Sequence, residues 1–229
     1  MRAILINGKW PLNLLDHRAE RPEWPYWEAH TLALAHSLID EGTVVWDVGS
    51  EEGDFPALFG TWGAEVVLIE PNPYVWPQIK IHWEANNTHE PLACLVGLAS
   101  DHIDLANPDY DAGFTAGWPN AALGEVWPAH GFRHIWEHAH TSPQFRLDRL
   151  PLKPPNLIMM DIEGGELLAL RGCKDVLLDH HPDVLVSIHP ALLRDLYGQT
   201  KQDVVEFMDS VGYEGRWYCT DHEEHYWFR

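Results

Sequence analysis

The sequence is poor in three things. Among its 229 residues are only 3 cysteines, and Cys94, Cys173 and Cys219 stand far apart with no CxxC pair. A disulfide framework and a cysteine-built structural zinc site are therefore excluded, and a reducing cytoplasm is the expected compartment. Basic residues are also scarce, 15 Lys and Arg against 35 Asp and Glu, for a formal charge of −20. No face can then be basic enough to follow a phosphate backbone by counterion release, so bulk nucleic acid is not an expected partner. Long apolar runs are missing too. The opening MRAILINGKW has one basic residue before a four-residue apolar run, far short of a signal peptide. Nothing approaches the ~18 apolar residues of a membrane span, so a soluble, intracellular chain with no membrane partner is expected.

What is present is 45% hydrophobic residue content, enough for one sizeable core and too little chain to require two. A single domain over residues 1–229 follows. The 12 Trp and 15 His are unusually many, and packing and solvated surface account for most of them.

Asn7 and Gly8 lie between apolar runs and accept positive φ at both centres of a type I′ turn, predicting an N-terminal hairpin. A helix from Trp27 to Asp40, with Trp27, Leu34 and Leu38 on one face, then stops at Gly42, completing an N-terminal unit over 1–42. Beyond it, apolar runs alternate with helical patterns: TVVWDVGS, AEVVLIEP, LACLVGLAS, NLIMMD and DVLVSIHP. Strands this uniformly apolar are buried on both faces, as in a parallel sheet covered by helices, so the fold class is α/β. Thr200 with Asp203 announces a late helix, and GRWYCT and HYWFR read as a closing antiparallel pair around DHEE. Residues 107–143 carry seven Gly and Pro between Pro108 and Gly131 without a period, which predicts a long insert acting as a lid or binding loop.

In such sheets ligands bind beyond the carboxyl ends of the strands. The first end is DVGSEEGDF, with Asp47 last in the strand, Gly49 and Gly53 in the turn, and Asp54 placed to cap the next helix. The phosphate-cradling GxGxxG is absent, and Glu51, Glu52 and Asp54 would repel a diphosphate. An acidic turn suits a ligand with a cationic part instead, of which S-adenosylmethionine is one. Glu70 ends the second strand, 23 positions beyond Asp47, where a carboxylate can accept from both ribose hydroxyls.

DVGSEEGDF, LIEPNP, GLASD, and LDRL followed by NLIMMDIEGGELLALRGC together resemble the signature blocks of the FkbM family of S-adenosylmethionine-dependent methyltransferases, over roughly residues 43–213. DIEGGE, near the family's DVEGAE, is the most specific block. The resemblance implies a Rossmann-like class I methyltransferase sheet of seven strands, mostly parallel, with the last antiparallel. It implies that Asp47, Gly49 and Gly53 line the methionine end of the cofactor, Glu70 its ribose, and Ser100 with Asp101 its adenine side. Ser50, Pro71, Asn72 and Asp161 complete the candidate cofactor set. Family turns commonly read GANxG where this sequence has GSEEG, so Glu51 and Glu52 replace small or polar residues.

Methyl transfer from a sulfonium is an in-line displacement, and a hydroxyl acceptor must also lose a proton. Asp161 and Glu163, two apart at a strand end, put both carboxylates on one side of the sheet with Cα atoms ~7 Å apart. His189 ends the strand that in the family's order lies beside theirs, so the three are the candidate catalytic group. Alternatively, Asp161 orients the cofactor's ammonium, Glu163 bonds backbone in the Gly164–Gly165 turn, and His189 is a packed strand-end residue. The same trio offers a site for Mg²⁺, ranked second to a metal-free site. In the insert, His134, His138 and His140 form an HxxxHxH pattern that matches part of a transition-metal site but lacks a fourth ligand. With His130 they read equally as solvated loop histidines. Trp118, Trp127 and Trp136 either stack on a sugar ring or pin the loop to the domain.

The leading expectation is therefore an O-methyltransferase acting on a hydroxyl of a small-molecule or glycosyl acceptor. A nicotinamide-dependent oxidoreductase and a non-catalytic carbohydrate- or protein-binding module on the same fold are the alternatives. The oligomeric state is not legible.

Overall fold

The computed structural model describes residues 1–105, 113–115, 117–126, 142–220 and 223–229. The chain opens with β1 (Arg2–Ile6) and β2 (Trp10–Leu14), joined by the expected turn: Asn7 and Gly8 have φ of 52° and 65°, and the Lys9 N–H donates to Ile6 O at 2.9 Å. A short helix α1 (Asp16–Ala19) and the helix α2 (Ala29–Leu38) follow. Helix α2 starts two residues later than Trp27 because Glu28 takes a left-handed φ of 43°.

The main sheet is built from β3 (Val44–Val48), β4 (Glu65–Glu70) and β5 (Ala93–Val96), with α3 (Asp54–Thr61) and α4 (Trp76–Asn86) as crossovers. A short pair, β6 (Leu98–Ala99) and β8 (Gln144–Phe145), flanks the insert, and β7 (Gly113–Thr115) lies within it. The second half supplies β9 (Leu157–Met160), α5 (Glu166–Gly172), α6 (Lys174–His180), β10 (Asp183–Ile188), α7 (Pro190–Tyr197), α8 (Lys201–Ser210), β11 (Gly215–Thr220) and β12 (Glu224–Phe228).

Sheet order is β11-β12-β10-β9-β3-β4-β5-β7, eight strands. Strands β3, β4, β5, β9 and β10 run parallel; β12 is antiparallel to β10, and β11 to β12. These are the seven strands the resemblance implied. The eighth, β7, pairs antiparallel with β5 and comes from a stretch that carries no strand period in the sequence.

Alternate residues of the central strands serve two cores, which is why the strands read as unbroken apolar runs. Val45, Val66, Leu68 and Met159 pack with the N-terminal hairpin, α2, α3 and α4. Val44, Trp46, Val48 and Ile158 pack on the opposite face with Leu167, Leu170, Leu177 and Met208 from α5, α6 and α8. Helix α8 carries the expected capping box, the Thr200 N–H donating to Asp203 Oδ2 at 2.7 Å and the Asp203 N–H to Thr200 Oγ1 at 3.2 Å. Trp118 is packed against the first core with Lys80 Nζ 5.5 Å from its ring, so at this position the tryptophan pins the insert to the domain. Trp127, His130, His134, Trp136, His138 and His140 lie outside the described residues.

Candidate functional site

Parallel strands turn their carboxyl ends to one side, and strand order reverses between β3 and β9. A cavity of about 410 Å³ opens there, walled by the ends of β3, β4 and β9 and by the N-terminal segment from Arg18 to Glu28. Of the residues expected from the sequence, Asp47, Gly49, Ser50, Glu70, Pro71, Asp161 and Glu163 line it.

Gly49 fits because no side chain would: at φ 93°, an added Cβ would stand 1.9 Å from the Asp161 carbonyl oxygen. The Ser50 hydroxyl donates to Asp47 O at 3.2 Å and accepts from the Ile69 N–H at 3.3 Å, tying the turn to both strands. Asp47 is buried, and its Oδ2 has no hydrogen-bond partner among the described residues. Burial pushes its pKa up to about 7. Glu70 is also buried; its Oε1 accepts the Asn72 N–H at 2.7 Å and its Oε2 the Glu51 N–H at 2.9 Å. Burial outweighs these bonds and raises its pKa to about 8.

Four expected cofactor residues do not reach the cavity wall. Gly53 faces helix α4, where an added Cβ would meet the Ile79 Cα at 2.7 Å. Asn72 is buried, its Oδ1 accepting the Tyr74 N–H at 3.0 Å. Ser100 is fully buried beside Gly172, whose absent Cβ would stand 1.9 Å from its carbonyl oxygen, and Asp101 pairs with His102 at 2.9 Å. Nor does Asp54 cap a helix: Gly53 is the N-cap and the Asp54 carboxylate is used elsewhere.

That use corrects the picture of an acidic turn offering three free charges to a ligand. The Arg18 guanidinium, 3% exposed, donates to both Asp54 oxygens at 2.8 and 2.6 Å and pairs with Glu51 at 3.1 Å and Glu52 at 2.6 Å. Despite burial, which acts the other way, Arg18 holds the Asp54 carboxyl below its ordinary pKa. Sequence reasoning missed Arg18, since HRAER reads as a solvated charge run and its partners lie 33 or more positions away.

At the far end, the turn after β9 and the end of β10 bring Asp161, Glu163 and His189 together. His189 Nε2 lies 3.4 Å from Asp161 Oδ1 and 3.8 Å from Glu163 Oε2. Two unforeseen carboxylates join them. Glu166, fully buried in the first turn of α5, is 2.7 Å from His189 Nδ1 and accepts the Gly164 N–H at 2.9 Å, a bond of the kind that the alternative reading gave to Glu163. Glu223, from the β11–β12 turn, is 3.5 Å from Nε2. The last letter of DIEGGE pointed to Glu166; nothing pointed to Glu223, which the sequence places in a polar turn. Burial lowers the pKa of His189, but the hydrogen bond to Glu166, the close Glu223 carboxylate and the charge of Asp161 prevail and raise it to about 11. Burial raises Asp161 to about 7 against the opposing charge of His189, and raises Glu163 as well. With no cation other than its own proton, the imidazole is therefore an imidazolium and not a free base.

This sheet order, parallel but for its antiparallel edges and with the cavity at its switch point, is the class I methyltransferase fold that the resemblance implied. The sequence matches the methyltransferase FkbM domain over residues 47–214, and the chain belongs to that family. It is similar to the crystal structure of methyltransferase FkbM from Methylobacillus flagellatus KT, with a TM-score of 0.50 and 17% identity over 83% of this chain. The chain spans 44% of that protein's length. A precorrin-6y C5,15-methyltransferase from Geobacter metallireducens GS-15 is 13% identical over 95% of this chain and 91% of its own, with a TM-score of 0.47. A 1,6-didemethyltoxoflavin-N1-methyltransferase from Burkholderia thailandensis, solved with S-adenosylhomocysteine, is 12% identical over 100% and 97%, with a TM-score of 0.43. No curated protein matches the sequence.

Proposed function

We propose that the chain is an S-adenosylmethionine-dependent O-methyltransferase that modifies a hydroxyl of a small-molecule or glycosyl acceptor. The observation that carries this reading is the pair of buried carboxylates, Asp47 and Glu70, on one cavity wall. Asp47 Oδ2 is without a partner, and such an atom is costly to bury unless a donor arrives. An ammonium N–H is such a donor. Each Glu70 oxygen has one lone pair left after its backbone bond, which suits the two hydroxyls of a ribose. Leu98 and Phe55 offer apolar surface on the same cavity. Neither acid needs the acidic turn, whose three carboxylates all pair with Arg18.

S-Adenosylmethionine supplies a methyl group on a sulfonium when bound. The chain's own part is to hold the acceptor and receive its proton. Asp161, on the wall and near neutrality in pKa, is the group suited to take a hydroxyl proton, with Glu163 beside it. His189, as an imidazolium, holds these carboxylates in place. Family membership leaves the nicotinamide alternative without support. Mg²⁺ on Asp161, Glu163 and His189 is not favoured either, because an imidazole nitrogen sits at the centre of the set.

Three free cysteines suit a reducing cytoplasm, and no helix among the described residues is long and apolar enough to cross a membrane. Calorimetric titration with S-adenosylhomocysteine tests the reading: saturable binding that weakens in Asp47→Asn is expected. No binding heat in a folded protein overturns it. Transfer of labelled methyl to a hydroxylated acceptor, and not to its deoxy analogue, tests the O-methyl part.

A further inference from the structure

We propose that Asp161, His189 and Glu223 form a binding site for a single divalent transition-metal ion, with Mn²⁺ as the representative. One ligand atom from each lies within 4.8 Å of the other two. A cluster of acids alone would not point to an ion; His189 Nε2 does. The residue is 7% exposed, and Nε2 is aimed at three carboxylates yet makes no hydrogen bond of normal geometry to any of them.

The other ring nitrogen is fixed. Nδ1 is 2.7 Å from Glu166, which is itself fully buried and anchored by the Gly164 N–H. With Nδ1–H donated to a carboxylate, the lone pair of a neutral imidazole is presented at Nε2, the arrangement that orients and strengthens histidine ligands around metals. An ion there takes the place of the Nε2 proton. The charge count agrees, since Asp161, Glu163, Glu166 and Glu223 surround one imidazole. A donor set of one nitrogen and carboxylate oxygens suits a transition metal better than Mg²⁺, which prefers oxygen alone. Asp161 and Glu223 line the cavity, so the remaining coordination positions face the space available to an acceptor. A part in methyl transfer, by binding the acceptor oxygen and lowering its pKa, rests on the function proposed above. The cation site itself does not.

The test titrates Mn²⁺ into the metal-stripped 229-residue chain, following free Mn²⁺ by electron paramagnetic resonance, with S-adenosylhomocysteine calorimetry on the same preparation. Saturable binding of a single ion per chain is expected, with Mg²⁺ a weak competitor. His189→Gln and Glu223→Gln should abolish it, and Glu166→Gln should weaken it about 10- to 100-fold. Glu223 is on a hairpin turn, so its variant keeps the fold if either does, and circular dichroism checks this. Wild-type binding no tighter than that of Glu223→Gln overturns the site. Mn²⁺ binding without S-adenosylhomocysteine binding keeps the cation site and removes the methyl donor, and the reverse result does the opposite.

Discussion

Arg18 and Asp54, 36 positions apart, meet in a buried two-bond fork, Nε to Oδ1 at 2.8 Å and Nη2 to Oδ2 at 2.6 Å. This contact fastens the N-terminal segment, one wall of the cavity, to the turn that forms another. Breaking a buried pair leaves an uncompensated charge, here a cluster of three carboxylates. Arg18→Met is therefore expected to lower unfolding free energy by about 3 to 5 kcal/mol in denaturant titrations. Asp54, whose pKa is depressed by Arg18, contributes stability above its unfolded pKa, and that contribution disappears as pH falls through the lowered folded value. In Arg18→Met the depression is removed and burial raises the folded pKa of Asp54 above its unfolded value, so this acid loss should disappear and the Asp54 contribution should grow as pH falls through that window. A variant that keeps the wild type's acid loss would show that the pair does not hold the segment.

Glu70 titrates in the other direction. Its folded pKa of about 8 exceeds the ordinary 4.5, so between those values the folded chain binds more protons than the unfolded chain. Stability then falls as pH rises through that window. The slope of melting temperature against pH should be flatter in Glu70→Gln than in the wild type, whatever the variant's absolute stability. Affinity for S-adenosylhomocysteine, if Glu70 accepts from ribose hydroxyls as an anion, should rise towards pH 8 in the wild type and not in the variant. Equal slopes would show that Glu70 is ionised throughout.

Much of the frame was legible because strand and helix signals are local. VVWDV and LIMM are buried on both faces, so a nearly unbroken apolar run was enough to find β3 and β9. Thr200 and Asp203 are three apart, and a capping box needs nothing more distant. The placement of the candidate residues was legible where they end strands, as with Asp47, Glu70, Asp161 and His189. It was not legible where tertiary packing decided the role. Arg18 reads as surface charge until α1 carries it under the turn, Glu223 reads as a hairpin tip until β12 inserts beside β10, and Gly53 reads as a ligand-binding glycine until α4 is seen against it.

The two glycine positions separate strain from crowding. Gly8 has φ 65° with nothing within 4 Å of an added Cβ, whereas Gly49 combines φ 93° with a Cβ position 1.9 Å from the Asp161 carbonyl oxygen. Gly8→Ala should cost about 1 kcal/mol, the left-handed penalty alone. Gly49→Ala must also push β9 away from β3, and a loss of more than about 3 kcal/mol in unfolding titrations is expected. Similar costs would show that the turn yields at the Gly49 position.

Asp47 and Asp161 both have pKa values raised to about 7 by burial, yet their neighbours give them different work. Asp47 has an unpartnered oxygen on the wall beside Glu70, while Asp161 has His189 at 3.4 Å. A donor-holding group should act on binding and a proton acceptor on turnover. Asp47→Asn is thus expected to weaken S-adenosylhomocysteine binding in calorimetry. Asp161→Asn should leave that binding within a few-fold of wild type but slow single-turnover methyl transfer by about 10² to 10⁴, the range for a positioned base. In metal-stripped protein the residual rate should then lose the rise between pH 6 and 8 that the wild type owes to Asp161 ionisation. If instead Asp161→Asn abolished S-adenosylhomocysteine binding and Asp47→Asn did not, the donor's cationic group would lie at the His189 end of the cavity, and the two acids would exchange roles.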